Sequence, residues 1–196
     1  MAPDISTGQS FDSTLAAAKV GAEWAFAVLY RDLNPRLLRY FAARVGDDAE
    51  DLAVETWLAT ARRIGDFEGG QPQFWAWIFT VAHSRLVQHW RDVKRMPPTT
   101  GGVDLAGRAG TEDVESVVLG RISGLEATSE IIRSLSPDQA EVILLRVLGG
   151  LGVDEVAQIL DKQPGTVRVL QHKALRRLAT SRRVLEAVNA GTSRRD

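Results

Sequence analysis

Seven residues near the middle of the chain, Met96-Pro97-Pro98-Thr99-Thr100-Gly101-Gly102, constrain the fold more than any others. Two prolines remove backbone donors and fix φ, and two glycines leave the backbone free, so neither helix nor strand runs through them. On both sides apolar residues recur with a helical period, and no alternating stretch appears anywhere in the 196 residues. The expectation is an all-α protein: two small helical domains joined by a flexible linker. The rings reinforce the division. All five Trp, six Phe and two Tyr lie between Phe11 and Trp90, so a ring-based core is expected before the break and a separate Leu/Val/Ile core after it.

Residues 1–22 read as a tail, polar at first and then Ala-rich. A helix is expected from Glu23, with Asn34-Pro35 as a turn or a fresh helix start, continuing to Val45 with Leu37, Leu38, Phe41 and Ala42 inward. Gly46-Asp47-Asp48 ends it and caps the next helix, Ala49 to Ile64. Residues 65–73 form a loop. Phe74 to Arg95 is a long helix with Trp77, Ile78, Val81, Ala82 and Leu86 inward. The first domain is thus 23–96, and the acidic, Gly-punctuated stretch 97–126 is the linker. A second domain, 127–182, begins with a helix over 127–134. Ser136 then caps a helix with Pro137 at its first position, running to Leu148. Gly149-Gly150 stops it. A short helix over Val153–Leu160, a turn over 161–165 and a final helix from Gly165 to Leu178 complete the domain, with 183–196 as a tail.

Two short helices joined by a tight turn make a helix-turn-helix. Ala157 permits close approach, and Val167, Leu170, Ala174, Leu175 and Leu178 supply the inward set of the second helix. Residues 162–183 carry seven bases and no acid, although the whole chain has a net charge of −1 and a pI of about 6.3. Arg168 and Gln171 are the candidate base readers, because Arg and Gln bond base edges bidentately. Lys173, Arg176 and Arg177 are candidate phosphate contacts, with Thr166 and His172 on the same helix. Residues 46–55 are the opposite extreme, with five acids and no base. Such a surface repels nucleic acid and fits a protein partner or solvent.

Several classes are excluded or unsupported. The absence of Cys removes disulfides, thiolate catalysis and Cys-ligated metals. No run of 18 apolar residues exists, so no membrane span is expected. The first 13 residues lack the basic and apolar segments of a signal peptide, and a cytoplasmic location is the expectation. His83 and His89 fall on different helix faces, which argues against a metal pair. The glycine pairs fit no phosphate-binding loop. No nucleophile or acid/base pair stands out, so neither catalysis nor a cofactor is expected.

The stretch LSPDQAEVILLRVLGGLGVDEVAQILDKQPGTVRVLQHKALRRL resembles the DNA-binding C-terminal domain of bacterial sigma factors. LYRDLNPRLLRYFAARVGDDAEDLAVETWLATARRIGDF, followed by FWAWIFTVAHSRLVQHWRD, resembles their promoter-melting domain. In this order, with a short linker, the pair resembles the extracytoplasmic-function (ECF, group IV) RNA polymerase sigma factors of the sigma-70 superfamily, over residues 24–180. The resemblance implies binding to core RNA polymerase, at the β′ coiled coil and the β flap, and to promoter DNA, as −35 duplex and −10 single strand. It also implies an anti-sigma factor as a partner. It assigns polymerase binding to Asp47, Asp48, Glu50, Asp51 and Glu55, and −35 readout to the helix from Thr166 to Arg177. Base capture at −10 falls to the loop Asp66, Phe67, Glu68, Gly69, Gly70 and Gln71. The rest of the −10 readout falls to Phe79, Thr80, His83, Ser84, Val87, Gln88 and Arg91. The chain has Ala82-His83-Ser84 where many relatives have Ala-Arg-Asn, and Gln88 where many have Asp, so a relative's −10 sequence cannot be copied onto it. The alternative is a DNA-binding regulator whose first half is a sensory or dimerisation module.

Overall fold

The computed structural model describes residues 10–95, 132 and 134–180, and their regular elements are all helical. The expected linker, most of the expected helix over 127–134 and the C-terminal tail lie outside the described residues.

The segment expected as a tail contains a docked helix. α1, Phe11–Lys19, starts at Ser10, whose hydroxyl accepts from the Ser13 amide at 3.3 Å. Leu15 and Ala18 are buried, and the Phe11 ring lies 5.6 Å from that of Phe74. Gly21, at φ +87°, turns the chain into α2, Glu23–Val45.

α2 passes straight through Pro35, where a turn or new start was expected. Proline inside a helix forfeits one backbone bond, a cost of about 3 kcal/mol or more. Here Pro35 and Arg31, whose carbonyl loses the bond, are both exposed, so water can serve that carbonyl. Leu33 and Leu37, on the opposite face, are buried and hold the helix on both sides of the proline.

A 3₁₀ turn at Gly46–Asp48 leads into α3, Ala49–Arg63. Its inner face is Leu52, Ala53, Thr56, Trp57 and Thr60. The two buried threonine hydroxyls bond the carbonyls four residues back, at 2.8 and 2.9 Å. Trp57 belongs to the core: its ring meets Phe26 and Tyr30, and its indole N–H donates to Asn34 at 3.0 Å.

α4, Gln71–Arg95, begins three residues earlier than expected. Its buried positions are Phe74, Ile78, Phe79, Ala82 and Leu86. Trp77 and Val81 are only half-buried.

In the second half, α5 is Pro137–Val147, with a reciprocal capping box between Ser136 and Gln139. α6 is Val153–Ile159, and Glu155 closes its start by accepting from the Gly152 amide. α7 is Pro164–Thr180; proline takes the first helical position, one residue before the expected start. Val156, Ala157, Val167 and Ala174 are buried where α6 and α7 meet, and Leu175 is exposed rather than inward.

The expected separation into two cores does not hold. Six consecutive residues of α5, Ala140–Leu145, are buried. A helix enclosed around its girth needs neighbours on more than one side. α5 packs on α6 and α7, and also meets Tyr40, Arg44 and His83 of the first half. The buried apolar residues of both halves form one contiguous cluster.

Candidate nucleic-acid interface

Three surfaces carry the expected functional residues. The first is the outer face of α7. Thr166, Arg168, His172, Lys173, Arg176 and Arg177 are exposed there, and Arg168, His172 and Arg176 repeat every fourth residue along one side. Gln171 is only half-exposed, because its side-chain carbonyl accepts from Arg146 Nε at 3.3 Å. Arg146 also donates to the Leu151 carbonyl. One α5 side chain therefore ties the recognition helix to the turn before α6, a role the sequence reading did not assign.

The second surface is α3 and its approach. Asp47, Asp48, Glu50, Asp51 and Glu55 are all exposed, as expected of a face turned to a partner or to solvent. The structure adds Val54 and Leu58, each 53% exposed. With residues 52, 53, 56, 57 and 60 inward, positions 51, 54, 55 and 58 share the outer face. The result is an apolar stripe bordered by carboxylates, which suits a protein surface better than a phosphate backbone. The burial register of Trp57 was the signal that could have revealed it.

The third surface is the loop after α3 with the outer side of α4. A short 3₁₀ turn occupies Ile64–Asp66, so the open loop is 67–70. Phe67 stacks on Trp77, with centroids 5.1 Å apart and planes at 27°, and meets Phe74 edge-on. Its carbonyl accepts from Lys19 Nζ at 2.8 Å, which braces the loop on α1. Gly69 adopts φ +137°, and a Cβ there would lie 2.9 Å from Gln73 Cβ and 3.2 Å from the Phe67 ring. The Gly70 amide donates to Gln73 at 3.2 Å. A cavity of about 360 Å³ opens between α1 and the loop, lined by Asp12, Leu15, Ala16, Lys19, Phe67, Glu68 and Gly69.

Along α4, Thr80, Ser84, Gln88 and Arg91 form an exposed polar stripe. Gln88 is engaged with Asp92 at 2.9 and 3.0 Å. Val87 is half-buried, and so is His83, whose Nδ1 lies 3.3 Å from the Tyr40 hydroxyl and 3.0 Å from Glu141. Phe79 does not join the stripe: it is 0% exposed, with its ring 5.6 Å from that of Tyr40. Burial first, and then the Glu141 carboxylate, push the Tyr40 hydroxyl well above its ordinary pKa, so it stays a donor. Among the described residues no cluster of His, Asp or Glu is arranged to hold a metal ion, and no helix is long and apolar enough to cross a membrane.

These surfaces fall within recognised family regions. Residues 29–96 match Sigma-70 region 2, and residues 125–178 match Sigma-70, region 4. The ECF RNA polymerase sigma factor BldN of Streptomyces coelicolor is 35% identical over 164 residues; the match spans 83% of this chain but only 62% of BldN. The ECF RNA polymerase sigma factor ShbA of Streptomyces griseus is 30% identical over 161 residues, spanning 76% of this chain and 83% of ShbA. SigD of Mycobacterium tuberculosis, another such factor, is 28% identical over 180 residues, 87% of this chain and 83% of SigD. The fold is similar to that of CnrH, solved with the cytosolic domain of CnrY, at a TM-score of 0.60 and 19% identity over 87% of this chain and 96% of CnrH. It is also similar to the sigma factor RpoE of Bartonella quintana, solved with the anti-sigma factor NepR, at a TM-score of 0.60 and 23% identity over 78% of this chain and 93% of RpoE.

Proposed function

Because the chain belongs to the ECF RNA polymerase sigma factors of the sigma-70 family, we propose that it is a dissociable initiation subunit that binds core RNA polymerase and directs it to its own set of promoters. It works in the cytoplasm, and the chemistry of RNA synthesis belongs to the polymerase. The observation that carries this reading is the pairing, in one chain, of an acid-bordered apolar face on α3 with an acid-free basic face on α7. One suits a protein and the other suits DNA.

The division of labour follows from chemistry. α7 reads duplex −35 DNA: Arg168 at its first turns reaches a base edge, and Lys173, Arg176 and Arg177 lie along the phosphates. Gln171 joins once Arg146 releases it. The 66–71 loop and the Thr80, Ser84, Gln88 and Arg91 stripe act on −10 DNA as it opens. Unpaired bases are held by stacking and by hydrogen bonds to their edges, and the rings and the braced Gly69 backbone of this half offer both. Core polymerase takes the α3 face, through the β′ coiled coil, and region 4 meets the β flap. An anti-sigma factor holds the free protein in reserve.

The test is gel filtration with purified core polymerase, followed by transcription from a genomic fragment library and mapping of start sites. Co-elution and a shared upstream motif are expected. The double variant Asp51→Lys/Glu55→Lys should lose co-elution while keeping its helix content. If it co-elutes like the parent chain, the α3 assignment is wrong.

A further inference from the structure

Every residue expected to meet DNA on α7 is polar or charged, yet the middle of its outer face carries a valine. Val169 is 52% exposed. At about 100° per residue it stands about 200° round the helix from the buried Val167 and about 140° from the buried Ala174. Leu175, also exposed, stands about 80° and 100° from the same two residues and so borders the inner side. Val169 therefore faces outward, among cations. Arg168 precedes it, and His172, Lys173 and Arg176 follow at the spacings that share its side; all four are exposed.

Helix propensity does not favour valine at this place: a β-branched residue is a poorer helix former than the Ala, Lys or Arg that an exposed position accepts. The turn before it is shaped for close approach. Gly165 is helical, its φ is not positive, and a Cβ there would meet nothing within 4 Å. Glycine in a helix is costly relative to alanine, and neither the backbone nor the packing requires it at 165. Gly165 and Thr166 lie four and three residues before Val169, on its side of the helix. The three make a low strip of short side chains, with the longer Arg168 and Lys173 beside it. A duplex can come closest to the helix axis along such a strip.

A valine neither donates nor accepts a hydrogen bond. Pressed against the major-groove edge of guanine, cytosine or adenine, it strips water from polar atoms and offers them no partner. The apolar group on that edge of a base pair is the C5 methyl of thymine. We propose that Val169 reads a thymine of the −35 duplex through this methyl group. The proposal rests on the reading that α7 faces −35 DNA. It divides the work on that helix: the cations alongside hold phosphates and position the protein, and part of the sequence choice comes from a contact that carries no charge.

The test uses core polymerase with the full chain on a promoter mapped as above. Each thymine of the −35 element, on either strand, is replaced in turn by uracil, which removes the methyl and keeps the pairing. At one position binding should weaken about fourfold, the worth of one buried methyl-sized group. At that position 5-methylcytosine paired with guanine should bind about fourfold tighter than cytosine, because both pairs hold the methyl in the same place. Val169→Ser should bind thymine and uracil alike there, while keeping the parent's helix content and salt slope. If Val169→Ser loses helix, Val169→Ala is read in its place, with the same result expected. Equal binding of thymine and uracil by the parent at every position overturns the proposal, as does a −35 element with no thymine on either strand. A uracil effect without a 5-methylcytosine effect overturns the methyl contact. A uracil effect that survives in the variant takes the contact away from Val169. In each of these cases the promoter is still bound and the sigma-factor reading stands. If core polymerase with the parent chain binds no promoter, that reading fails and the proposal falls with it.

Discussion

Helices α4 and α7 both present polar side chains at every fourth residue, yet they sit in opposite circumstances. α7 rests on two neighbours and turns Arg168, His172 and Lys173 to solvent. α4 gives its Phe74, Ile78, Phe79, Ala82 and Leu86 positions to the core and loses part of its outer side, at His83, to α5. Their surroundings differ in kind as well. α7 is held by aliphatic packing and by Arg146 at Gln171, whereas the start of α4 is set among rings, with Phe67, Phe74 and Trp77 in mutual contact. A duplex reader needs a rigid helix with open charges. On the proposed division of labour, a reader of unpaired bases needs a shaped backbone and nearby rings.

Four changes would break or sharpen this contrast. The largest is Phe41→Ala. Removing a fully buried ring should cost about 3–5 kcal/mol. If the halves depend on each other through their common core, thermal melting of the whole chain should shift as one transition; two separate transitions would restore the picture of independent cores. Next is Gly69→Val. Strain at φ +137°, with a Cβ 2.9 Å from Gln73, should add about 1–3 kcal/mol against the loop conformation. Strand opening, read by permanganate reactivity of −10 thymines, should fall while duplex binding through α7 persists. Equal opening by mutant and parent would remove the loop from the mechanism. Third, Arg168→Ala should cost about 1–3 kcal/mol in promoter binding and relax preference at one −35 position, measured on a set of single-base variants. Smallest is Arg176→Ala, which should weaken all sequences alike and reduce the salt slope of binding by about one, seen by titration at several ionic strengths.

Much of the fold was legible because helical signals are local. Ser136-Pro137 marked the start of α5 by capping chemistry, to which the structure adds Gln139, and Gly149-Gly150 marked its end. What escaped was decided by tertiary placement. Pro35 is a breaker by local rules and is tolerated because its orphaned partner faces water. Trp77 outranks Phe79 in size but not in register: Phe67 covers Trp77 from the loop, and Phe79 falls under Tyr40. Leu175, next to the inward Ala174, lies about 100° around the helix from it and is therefore exposed. For the candidate site, the charged and polar positions could be placed on faces from spacing alone. Gln171 and His83 could not be known to be engaged, because their partners, Arg146 and Glu141, lie 25 and 58 residues away. The signal that went unread was Glu141, a lone acid inside an apolar run.

The lysine of α1 that bonds the Phe67 carbonyl has a consequence for how such a factor diversifies. α1 precedes the stretch matched by region 2, residues 29–96, yet it sets the rest position of the loop. Substituting Lys19 removes that brace and leaves the side chains proposed to face DNA as they were. On the proposed division of labour, promoter choice and promoter strength become separately heritable traits: the first rests on α4 and α7, the second on the brace that α1 lends the loop through Lys19.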